Sequence, residues 1–130
     1  MIVSAFHAIG RIVPAVLLAL CLGGTALAGN YEDALAAYTR GDYALALRLY
    51  LPLADQGQAV AQYNLGVMYA KGEGVEQNYA EAVKWYRKAA EQHNPEAEMS
   101  LGVMYEFGLG VTQDSREAMK WFHKAAEQGD

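Results

Sequence analysis

The residue types most suited to chemistry are scarce in this chain, and they are spaced badly for it. There are three histidines, His7, His93 and His123. Aligned on the chain's internal repeat, His93 falls opposite Gly129 and His123 opposite Arg87, so the two share no position. Histidines thirty residues apart on unmatched faces do not build a metal site or a general base with its partner. The two glycine pairs, Gly72-x-Gly74 and Gly108-x-Gly110, lack the third glycine of a dinucleotide fingerprint and the Gly-Lys-Ser/Thr of a phosphate loop. Each also follows a helical pattern rather than a strand, so they are read as helix-ending turns. No paired carboxylates and no serine–histidine–acid spacing stand out. The sequence therefore predicts no catalytic residue, no cofactor and no metal. What remains for function is contact surface.

Charge narrows the partner. All fifteen acids lie in residues 29–130, against nine of the ten Lys and Arg. A net acidic surface repels phosphate backbones, which argues against nucleic acid. Residues 1–28 contain no acid and a single cation, Arg11, followed by the apolar run Ile12 to Leu22 and by Ala26-Leu27-Ala28. That layout is a secretory signal with cleavage after Ala28, which places the remainder in the periplasm or outside the cell. The competing reading keeps residues 12–28 as a membrane anchor, since they nearly reach the ~20 apolar residues of a spanning helix. A lipoprotein signal is the weaker fit, because Leu20 precedes the lone Cys21 where a small residue is normal. Cleavage would leave a chain without cysteine, so stability has to come from helix packing instead of disulfides.

The elements that must build any surface come from a duplication. Residues 61–94 and 97–130 align without a gap at a spacing of 36, with nineteen of 34 positions identical. Each unit parses as two helices. In the first unit, Ala61, Leu65, Met68 and Tyr69 form one apolar stripe at helical spacing. Gly66 beside the stripe costs about 1 kcal/mol against alanine, so a neighbouring helix is expected to come close there. Gly72 ends the helix in left-handed geometry. Asn78 then caps a second helix, with Glu81 completing a capping box. Its buried face is expected to be Ala82, Trp85, Tyr86, Ala89 and His93, with Lys84, Arg87, Lys88 and Glu91 in solvent. The later copy repeats this with Asp114 and Glu117 as cap and box, over Ala118, Trp121, Phe122, Ala125 and Ala126.

Residues 31–57 read as a shorter copy. Tyr43, Ala46, Tyr50 and Ala54 lie over Tyr79, Ala82, Tyr86 and Ala90, with Asp42 as the cap. The expectation is an all-α fold, an α/α superhelical solenoid of antiparallel helix hairpins. The hairpins are 29–58 (degenerate), 59–95 and 96–130.

The pattern A-x-x-x-LGVMY-x-x-G-x-GV, then A-x-KW and KAAEQ, resembles the Sel1-like repeat, a relative of the tetratricopeptide repeat. The resemblance implies a right-handed superhelix serving as a protein-interaction adaptor. It also names a groove, formed by the first-helix positions that flank Leu-Gly-x-x-Tyr. Here these are Val60, Tyr63, Val67, Ala70 and Lys71, then Glu96, Met99, Val103, Glu106 and Phe107. Tyr63, Met99 and Phe107 would be the anchors, while several of the set could instead pack against the neighbouring unit. The expected partner is another protein, held in that groove. Asp130 stands where Asn94 starts a new helix, which leaves the last hairpin without a polar cap; three explanations compete, a truncated chain, self-association through that hairpin, or a partner that docks there. A rival reading is an envelope enzyme or β-lactam-binding protein of the Sel1-like type. Exported relatives proposed for that role carry a disulfide in each repeat, which this chain lacks. A membrane-tethered scaffold is the other rival.

Overall fold

The computed structural model describes residues 29–129; the expectations of a signal or anchor at 1–28 and of an uncapped end at Asp130 fall outside them. Six helices follow one another: α1 Tyr31–Thr39, α2 Tyr43–Asp55, α3 Ala59–Lys71, α4 Tyr79–Glu91, α5 Pro95–Phe107 and α6 Ser115–Glu127. No strand occurs among the described residues. Each helix packs against its sequence neighbours, first within a hairpin and then against the next hairpin, which is the all-α solenoid arrangement.

Short polar residues start the helices. Asn30, Asp42, Asn78, Asn94 and Asp114 each accept a backbone N–H from the first turn. Gly72 and Gly108 end α3 and α5 with φ of +71° and +63°. The capping boxes do not form, and this corrects the sequence reading. The N–H of Asn78 donates to the Tyr69 carbonyl at 2.9 Å, and that of Asp114 donates to the Tyr105 carbonyl at 3.0 Å. With those donors already satisfied by the returning loop, Glu81 and Glu117 turn along their helices to Lys84 and Lys120.

Two apolar clusters form the core. One joins α1, α2 and α3 through Ala34, Ala37, Ala46, Tyr50, Leu53, Leu65 and Met68. The other joins α4, α5 and α6 through Ala82, Val83, Tyr86, Ala89, Ala97, Leu101 and Trp121. The close approach expected at Gly66 is present: a Cβ there would collide with the ring of Tyr86, as one on Gly102 would with Phe122.

Several second-helix positions differ from expectation. Val83 and Ala90 are buried in α4, whereas Trp85 is half-buried against the first cluster with Lys88 Nζ 4.4 Å from its ring centre. His93 lies past the helix end, exposed, with φ +63°, because α4 finishes at Glu91. In α6, Phe122 is half-buried and Ala126 exposed. Arg87 is no free surface cation; it donates to the Tyr105 hydroxyl at 2.7 Å and ties α4 to α5.

Candidate functional site

Helix geometry alone puts one stripe of α5 out of the core. At about 100° per residue, Glu96, Met99, Ser100, Val103, Glu106 and Phe107 share roughly a third of the circumference. Ala97, Glu98, Leu101 and Met104 occupy the opposite side and are buried. Met99 is 48% exposed, Val103 38% and Phe107 69%, so apolar side chains stand in solvent along the whole helix. The matching stripe of α3 is treated differently. Val60 and Lys71 are exposed, but Tyr63, Val67 and Ala70 pack onto the cluster of α4, α5 and Trp121. Neighbour packing therefore accounts for part of the predicted groove set.

The two stripes meet in a hollow of about 380 Å³, lined by Tyr63 from α3, by Pro95, Glu96, Met99 and Ser100 from α5, and by Ala125 from α6. Tyr63 leans on Tyr86 with ring centres 5.8 Å apart, which fixes the wall of the hollow. The Tyr63 hydroxyl is pushed above its ordinary pKa, first by burial and then by the negative charge of Glu96, while Ser100 acts in the opposite sense. Ser100 donates to the Glu96 carbonyl at 2.8 Å. The arrangement suits an apolar side chain entering between Tyr63 and Met99 beside an acid.

Of the predicted residues, Tyr63, Glu96 and Met99 come together in this hollow. Val103, Glu106 and Phe107 continue the stripe along α5, and Val60, Val67 and Lys71 lie along α3. Pro95, Ser100 and Ala125 were missed. Ser100 was legible as the one small polar residue a turn beyond Glu96, while Ala125 arrives from another helix. No group of three or more His, Cys, Asp or Glu among the described residues could hold a metal ion. No described helix is long and apolar enough to cross a membrane.

Tandem helix hairpins packed in series, the second and third carrying the same contact between a helix glycine and an aromatic ring, define a helical-repeat protein. The chain belongs to the Sel1 repeat family, which matches at residues 25–58, 59–94 and 95–130. It is similar to the crystal structure of a Sel1 repeat protein from Oxalobacter formigenes, with 39% identity over 78% of this chain and a TM-score of 0.74. It is also similar to a protective antigen present in uropathogenic Escherichia coli strains displaying an SLR fold, with 43% identity over 84% of this chain and a TM-score of 0.74. The chain spans 42% and 25% of the lengths of those two proteins. Comparison with curated proteins gives no match. Sel1 repeat proteins generally act as protein-interaction scaffolds.

Proposed function

We propose that the chain is an exported adaptor that holds a segment of another protein along the groove between α3 and α5. The observation carrying this reading is the run of solvent-facing apolar side chains on α5, Met99, Val103 and Phe107, beside the hollow at Tyr63. A face that served only solvation would not need three large apolar residues in one stripe. Exposed Met and aromatic side chains supply much contact area.

Capture from an envelope extract tests the reading, with the double variant Met99→Ala, Phe107→Ala compared with the unaltered protein. Both side chains are largely exposed, so helicity by circular dichroism should not change while specific capture is lost. Tyr63→Ala is a poorer probe, because it also removes the packing on Tyr86. Equal capture by the double variant rejects the groove. Sequencing the N-terminus of the exported product separates a cleaved signal, starting at Gly29, from a retained tether.

A further inference from the structure

Charge is divided between the two sides of the hairpins. Lys84, Arg87, Lys88, Arg116, Lys120 and Lys124 all stand on the second helices α4 and α6. On α3 and α5 the one cation is Lys71, and α5 carries Glu96 and Glu106 on its exposed stripe. Neither of those acids is paired with a cation among the described residues, whereas Glu81 and Glu117 on the second helices are. Glu96 and Glu106 are ten residues apart, about 15 Å along the helix axis at 1.5 Å per residue. Met99 and Val103 lie between them. The groove is thus an apolar strip with an unpaired acid at each end, on a side of the molecule that attracts cations.

The geometry points to the occupant: a partner segment with an aliphatic or aromatic side chain for the Tyr63–Met99 hollow, flanked by Lys or Arg that meet Glu96 and Glu106. An extended chain covers the distance between the acids in about five residues, which sets the spacing of the two cations. This rests on the reading of the groove as a docking surface and adds the chemistry of what docks there.

Selection of a random displayed peptide library on the purified protein tests it. Enriched peptides should place an apolar residue between basic ones. A synthetic peptide of the enriched sequence should bind about fivefold more weakly to the double variant Glu96→Gln, Glu106→Gln, and more weakly as salt is raised. Reselection on Glu96→Lys, Glu106→Lys should switch the flanking residues to acids. Acidic or uncharged flanks on the unaltered protein, or unchanged binding by the glutamine variant, overturn the charge assignment. In that case the groove reading still stands if Met99→Ala weakens binding. If Met99→Ala and Phe107→Ala leave the peptide bound as before, the groove reading itself fails, and this inference with it. A library that enriches nothing overturns both.

Discussion

The two full repeats, residues 59–94 and 95–130, share their frame and diverge on their faces. In both, a leucine is fully buried, Leu65 and Leu101, and a glycine meets an aromatic ring, Tyr86 in one and Phe122 in the other. In both, a glutamine at the end of the second helix reaches back to the first: Gln92 donates to Gln62 at 2.8 Å and Gln128 to Glu98 at 2.6 Å. Then they part. Tyr63 becomes Met99, Ala70 becomes Glu106 and Lys71 becomes Phe107. Duplication preserved most of what closes a hairpin, whereas along this first-helix stripe every pair but Val67 and Val103 differs. Binding chemistry can change there without cost to the fold.

The glycines test the shared frame most severely. Gly66→Ala should cost about 3 kcal/mol, because its Cβ must displace the Tyr86 ring inside the core. Gly102→Ala should cost less, about 1–2 kcal/mol, since the half-buried Phe122 has room to turn outward. Urea unfolding checks both, and equal losses would mean that the two hairpins are equally rigid.

The buried glutamine–glutamate difference gives the next effect. Gln62 donates its Nε2 hydrogens to the Ala54 carbonyl at 3.1 Å, a bond that the carboxyl group of Glu98 has no amide hydrogens to copy. Glu98 is 1% exposed. Glu98→Gln should therefore stabilise the protein by about 1 kcal/mol, and Gln62→Glu should destabilise it by at least as much. Thermal melts of the two variants decide this, and a drop for Glu98→Gln would break the equivalence.

Alkaline pH separates the copies in a different way. Burial, and secondarily Tyr63, raise the Tyr86 hydroxyl above the ordinary tyrosine value of 10. The unfolded chain then loses this proton first, so the stability is present below pH 10 and declines as the pH rises beyond it. Tyr86→Phe reproduces Phe122 and should flatten that decline, measured as urea midpoints from pH 9 upward. Tyr50, pushed up to about 12 chiefly by burial, remains to contribute its own loss between pH 10 and 12. The smallest effect belongs to the exposed pairs Glu81–Lys84 and Glu117–Lys120. Breaking either should cost about 0.3 kcal/mol and the same in both copies.

Much of the fold was legible because repetition made it so. The caps at Asn78, Asn94 and Asp114, the turns at Gly72 and Gly108 and the stripe of Leu65 and Met68 are local features. Propensity and periodicity read them without knowing the neighbours. Half of the groove was legible too, since exposure of Met99, Val103 and Phe107 follows from their angle on α5. Some failures were local, since the returning loop takes the donors of the capping boxes and α4 ends before His93, while others depended on a third element. Trp85 and Arg87 looked like core and solvent, but the adjacent hairpins decide their fates through the first cluster and the Tyr105 hydroxyl.

By itself, then, the sequence determined that this chain makes helical hairpins of the Sel1 kind, because caps, turns and apolar period are encoded within about a dozen residues of each other. Tertiary structure decided which of the groove positions remain free. Tyr63 and Val67 share a register with Met99 and Val103, but α5 and its neighbours cover the first pair and leave the second in solvent. That outcome depends on how hairpins stack, and no pattern within one hairpin encodes it.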